Sequence, residues 1–321
     1  MLKVAVENDE VRIGKRFAVS FQRTLRIPDD GKTYPLPPSL GRFPVCSVKD
    51  YAERVPVEWQ TLGGVFIPMY QREALWLGFD GASWKPNAVQ IAAGGINVVS
   101  GEDWEEGLDS DPQNYIVCPD QPWLDGINAG DGRIRQFVAN RLGEGYTIEA
   151  QLSGKESLGG MQIRVYEPEP GRFPDAPPPR PNMLGARPMM AMGMAKSSMG
   201  LGVGGHMRQM IYPDRYGLDT WDTENSGSVF VHIINSEQYR DITGHAPPPT
   251  PVSAKSYTEH GFPWFDLYDE DKGTVRASKK LGKVKSVREK DQERGIKTKQ
   301  ESAEIKPGQV KKIKLPKSRK R

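Results

Sequence analysis

Apolar residues in the first half of the chain come in short runs separated by turn clusters. In RFAVSF, Phe17, Val19 and Phe21 share one face, and Arg16, Ala18 and Ser20 the other. In RIRQFV, strict alternation sets Ile134, Gln136 and Val138 opposite Arg133, Arg135 and Phe137. That two-residue period is the mark of a strand with one buried face. Similar runs are LKVAVEN, FPVCSV, GVFIPMY, AVQIAAG, NYIVCP, GYTIEAQL and MQIRVYEP, and clusters such as PDDGKTYPLPP and NAGDGR punctuate them. The pattern predicts a mainly β fold, an antiparallel β-sandwich or barrel-like part over residues 1–168, rather than a parallel βαβ array. The acidic stretch SGEDWEEGLDSDPQNY reads as a loop with one helical turn.

From residue 169 to 199 the chain becomes rich in proline, then in methionine and glycine, and reads as a stiff linker followed by an adaptable connector. Eight of the 11 methionines lie between Met183 and Met210. Met190, Met192 and Met194 have a spacing that soft thioether sites for Cu(I) use, but no cofactor is predicted. Residues 200–275 read as a smaller α+β part packed on the first. SVFVHIINS is its clearest strand, and TPVSAKSYTEHG reads as a helix with Thr250 as N-cap and Gly261 past its end. Residues 276–321 form a basic tail. Leu281, Val284 and Val287 predict one short helix there, with disorder after it.

Charge sharpens this division. The tail carries 18 Lys/Arg against 5 Asp/Glu, a net +13, and the rest 26 against 36, a net −10. An acidic body with a basic tail points to a polyanion contact by the tail, through Lys311, Lys312, Lys314, Lys317, Arg319, Lys320 and Arg321, or to docking of the tail on the body. The tail lacks interleaved aromatics, which disfavours base stacking. The 34 glycines and 27 prolines supply the turns that many short strands need. No apolar run approaches the roughly 18–20 residues of a membrane-spanning helix. The first residues lack the pattern of a signal peptide. Cys46 and Cys118 sit in Val-flanked runs and read as two buried thiols, so a cytoplasmic location is expected.

Candidate chemistry is sparse. No G-x-S-x-G, Walker or dinucleotide fingerprint occurs; GLGVGG lacks the Lys-Ser/Thr of a phosphate loop. The histidines His206, His232, His245 and His260 fit no zinc spacing. A metal site would need His206, His232 or His260 to converge with Asp266 or Asp269. His232 shares a strand face with Phe230 and Ile234 and equally fits a core histidine with one hydrogen bond. His260, at a helix end, suits the helix dipole. Asp125, Asn128 and Asp131 in WLDGINAGDG offer oxygen ligands or simply build turns. Trp104, Trp123 and Trp264 lie beside turns, where they stack on a glycan or protein partner or plug the end of a sandwich.

Several stretches together carry a resemblance: VCPDQPWLDGI, RIRQFVANRLGEGYTIEAQLSG, GGMQIRVYEP, MGLGVGGHMRQMIYPDRYGLDTWD, VFVHIINS, HGFPWFDLYDED and LGKVKSV. The chain resembles, over most of residues 1–290, a family of bacterial and fungal proteins with no established activity. The resemblance brings no functional residue with it. It implies only that WLDGI, RQFVA and PWFDLYDE are hallmarks of such a family.

The expectation is therefore a non-catalytic binding or scaffold protein. Its surface would be the aromatic and acidic loops with Trp104, Trp123, Asp125, Asn128, Asp131, Trp264 and Asp266. Two alternatives stay open: a metal- or carboxylate-dependent hydrolase, and a polyanion- or nucleic-acid-associated protein.

Overall fold

The computed structural model describes residues 1–176, 192–194, 198–267, 273–297 and 302–313. Most of the proline-rich segment, Met190, Asp269, Lys314, Lys317, Arg319, Lys320 and Arg321 lie outside them. The protein is mainly β. Seventeen strands among the described residues join one hydrogen-bonded network. The members that build its two faces are β1 (Val4–Glu7), β2 (Glu10–Ile13), β3 (Phe17–Thr24), β4 (Val65–Met69), β5 (Ala74–Asp80), β6 (Asn87–Ala93), β7 (Arg133–Arg141), β8 (Met161–Pro168), β9 (Ser198–Arg208) and β10 (Trp221–Asn235).

Two sets of strands face one another. One runs β1–β2–β3–β5–β7–β9, antiparallel throughout. The other runs β6–β8–β10–β4, with β4 parallel to β10. Phe17, Val19 and Phe21 of the first set and Ile91, Ile163 and Val231 of the second belong to one apolar cluster. β10 is the seam. Its Val231 pairs with Met161 of β8 and with Val65 of β4, so those strands flank it on opposite edges. Two residues on, Ile233 and Ile234 pair with Met199 and Ser198 of β9, which ties the two sets together.

The GLGVGG run is the middle of β9. Leu201 and Val203 face the core, while the alternate glycines let neighbouring chain lie close. A Cβ on Gly202 would sit 2.6 Å from the Tyr146 carbonyl oxygen, and one on Gly205 would sit 2.3 Å from that of Pro28. Gly205→Ala is therefore expected to lose about 1–3 kcal/mol in urea unfolding. Gly282→Ala, with nothing within 4 Å of the new methyl, serves as the neutral control.

Other segments also differ from their sequence reading. GYTIEAQL forms no strand; it holds the helix Ile148–Ser153, because Thr147 caps it by accepting from Ala150 N and Gly154 ends it in the left-handed region. The helix predicted from Thr250 starts later, at Ala254, where Ser253 accepts from Ser256 N. The acidic loop has no helical turn; Trp104 N bonds to Gly95 O, and Asp103 bridges to Ile96. In β7, Ile134 and Phe137 share the core cluster despite their odd spacing, because the register against β9 shifts between Arg135 and Phe137.

The start of the basic tail packs against the body, at the place where one short helix was expected. Leu281, Val284 and Val287 are all buried, as their spacing implied. They do not form one helix: a 3-10 turn at Leu281–Lys283 precedes the helix Val287–Glu293, which a Ser286/Glu289 capping box begins. Val287 packs with Ala74, Val138 and Tyr146 on the outer face of β5 and β7. Arg72 and Tyr146 bind Asp291, and Arg135 binds Glu289. Further on, Val310–Ile313 pairs with Trp264–Leu267 as a two-stranded ribbon. No helix among the described residues is long and apolar enough to cross a membrane.

Candidate functional site: a groove under Trp104

A groove of about 750 Å³ runs along the outer surface between β1 and β10. Val4 and Val6 line one wall, Ser228 and Phe230 the other, with Trp104 and Arg164 beside them. Strand geometry places Arg164. In β8, Met161, Ile163 and Val165 point into the core, so Gln162 and Arg164 must point outward. Arg164 sits directly across from Ser228 on one side and Gln90 on the other. The loop after Gly101 then folds over it. Gln90 Nε2 donates to Gly107 O, and Gly107 N donates to the Tyr166 hydroxyl, which donates in turn to Gln90 Oε1. This anchored loop sets the Trp104 ring 5.5 Å from the guanidinium carbon of Arg164, a cation–π arrangement.

Arg164 is only 8% exposed. Its Nη2 reaches Glu106 at 2.6 Å, a carboxylate that is itself mostly in water. Its Nε and Nη1 are buried and make no hydrogen bond. A planar fork of donors matches the geometry of a carboxylate or phosphate, and two of the Arg164 donors are unused. Behind Phe230 and Gly63 of the groove, His232 stacks between Trp59 at 4.4 Å and Phe230 at 4.5 Å, and its Nε2 bonds to Gly63 O at 2.9 Å. Burial pushes the imidazole down to about 4, against a smaller raising effect of the Gly63 carbonyl. His232 is thus neutral near pH 7 and stiffens the groove's end.

Comparison with family models, with curated proteins and with solved structures gives no match.

The groove gathers one of the residues singled out from the sequence, Trp104. Trp123 is half-buried against Trp76. Trp264 is fully buried, with Nε1 donating to Thr258 Oγ1, and offers no stacking surface. Asp125 and Asn128 are buried too: Asp125 accepts from Gln209 Nε2, and Asn128 holds the carbonyls of Val99 and Arg276. Asp131 is an exposed turn residue at φ 53° beside Arg133. Asp266 lies 3.6 Å from Arg208. These correct the expectation of one shared loop surface: long-range hydrogen bonds hold Asp125 and Asn128 inside, and the core took Trp264.

Nor do the histidines meet. His206 lies on β9 beside Thr33, its Nδ1 buried without a partner; burial and then the charges of Arg135 and Arg133 lower its pKa. His260 caps its helix, with Nδ1 2.7 Å from Ser256 O. Among the described residues, no three His, Cys, Asp or Glu side chains gather as a metal set. Lys311 and Lys312 are exposed on the ribbon strand Val310–Ile313.

Sequence reading passed over Arg164. The signal was there in MQIRV, a lone cation at the outward position of a strand whose inward positions are Met, Ile and Val.

Proposed function

We propose that this is a non-catalytic binding protein whose ligand places an anionic group on Arg164, in the groove under Trp104. The observation that carries this reading is the pair of buried, unbonded Arg164 donors. Leaving such donors unmade costs about 1–3 kcal/mol, and Glu106, held in water, returns little of it. A bound anion removes that cost. Two free cysteines accord with a cytoplasmic address, which belongs to the same proposal.

The test uses glutarate as the probe, with NMR of the 15N-labelled full chain. Glutarate is expected to shift the Arg164 Nε–H and the Trp104 indole N–H saturably, and the diamine putrescine is not. Arg164→Gln should abolish the shifts. The same variant should unfold at equal or higher urea than the parent, by up to about 1 kcal/mol, since it removes donors that nothing satisfies. Glutarate shifts that persist in Arg164→Gln would sink the proposal.

A further inference from the structure

The groove is also a break in the sheet. β10 pairs with β8 on one edge from Ser226 to Val231. On its other edge β4 begins only at Val231. Before that point the one backbone bond on this edge among the described residues is Leu2 N to Ser226 O, at 2.9 Å. Ser226 therefore turns its backbone to this edge, and strand alternation turns the N–H and C=O of Ser228 the same way. Gly64 closes the far end, where an added Cβ would lie 2.1 Å from Phe230 O. Across the gap, β1 pairs with β2 on one edge, and among the described residues no strand pairs with its other edge. The slot between the two closures, Ser226 to Phe230, is about 13 Å long, enough for roughly four extended residues.

The two faces of the slot differ. Inward lie Val4, Val6, Val65 and Val229, all of them in or against the main apolar cluster. Outward lie Ser228, which is small and exposed, and Arg164 across from it. A strand laid beside β10 has its outward side chains about 10 Å from the Arg164 backbone, two strand spacings away. A glutamate and an arginine side chain together bridge that gap, over Ser228.

We infer that the occupant of the groove is an extended peptide segment of a partner protein. It adds as a strand to the open edge of β10, with apolar side chains alternating inward and a carboxylate side chain set outward onto Arg164. This inference rests on the anion site proposed above and adds to it backbone pairing and residue alternation. The chain's own residues 177–191, PPPRPNMLGARPMMA, are a poor fit: they contain four prolines before Pro188 and no carboxylate.

The test compares three peptides on the full chain: acetyl-Val-Glu-Val-Glu-Val-amide, its lysine counterpart, and the glutamate peptide N-methylated along its backbone. The glutamate peptide is expected to bind and to slow hydrogen exchange at the Ser228 amide. The lysine peptide, the N-methylated peptide and Arg164→Gln should each weaken binding by about tenfold or more. If N-methylation changes nothing while Arg164→Gln still abolishes binding, strand addition is overturned and the anion site survives. If glutarate and the glutamate peptide both leave Arg164 unmoved, both readings fall. A dimer of the full chain that Arg164→Gln dissociates would make the occupant a second copy and overturn the partner peptide.

Discussion

Asp291→Ala is expected to cost about 3 kcal/mol of folding stability and to free the segment after residue 276 from the body. Asp291 is 1% exposed. It accepts from both terminal nitrogens of Arg72, at 2.5 and 2.7 Å, and from the Tyr146 hydroxyl at 2.7 Å. Alanine would leave a half-buried guanidinium and a buried hydroxyl without their acceptor. It would also undo the anchor that holds Val287 on Val138 and Tyr146. Burial alone would raise the Asp291 carboxyl, but its bonds to Arg72 and Tyr146 and the charges of Arg72 and Arg26 outweigh this and lower it. A lowered carboxyl contributes stability above the ordinary carboxylate range and loses it as pH falls through the lowered value. Acid should therefore release this segment in the parent and change little in the variant. Urea unfolding at neutral and acid pH, with trypsin cleavage at Lys279 to Lys290, measures both. A loss below about 1 kcal/mol would mean that the carboxylate is not the anchor.

Asp125→Asn should act in the opposite direction. Asp125 is 2% exposed, and its described side-chain bond is the one from Gln209 Nε2, at 2.8 Å. Burial raises its carboxyl to about 7, a rise that the Gln209 bond only partly offsets. A raised acid imposes no penalty below the ordinary aspartate range. From there the penalty grows as pH climbs to about 7, because the unfolded chain ionises first, and above that it is constant. Three units at about 1.36 kcal/mol each give a penalty of order 4 kcal/mol at pH 8. Asparagine keeps an acceptor for Gln209 and has no charge to bury. The variant and the parent should therefore match near pH 4 and separate by about 4 kcal/mol at pH 8. Stability profiles that stay parallel from pH 4 to pH 8 would show that Asp125 is ionised in the folded state throughout.

What the sequence reveals depends on which force sets each segment. Period-two runs such as RFAVSF and MQIRVYEP declare themselves, because a buried face leaves a trace at every second residue. GLGVGG hides its strand: its alternation is glycine against Leu or Val, and a missing side chain carries meaning only once Tyr146 and Pro28 are seen pressed against it. GYTIEAQL misleads because six residues of helix are too few to show a period, so the Thr147 cap and Gly154 decided the matter. In the tail, Leu281, Val284 and Val287 marked the buried face correctly. The partners that fix it, Arg72 and Tyr146, are far away in the chain, and no local pattern announces them. The site follows the same logic. Trp104 stood out by type, whereas Arg164 matters for what it lacks, and an absent hydrogen bond is invisible without the packing around it.

The position of β10 bears on how the chain reaches this state. The second strand set stays incomplete, and untied to the first, until residues 221–235 arrive, since β8, β4 and β9 all pair with that one strand. Residues 65–69 find Cys46 and Ser47 early on one edge, but on the other must wait for partners more than 160 positions later. During synthesis, β4 and β8 therefore each emerge with one edge unpaired and with apolar faces, and contacts this distant close slowly. The chain must travel through an aggregation-exposed interval that ends only when its last long strand slots between the others.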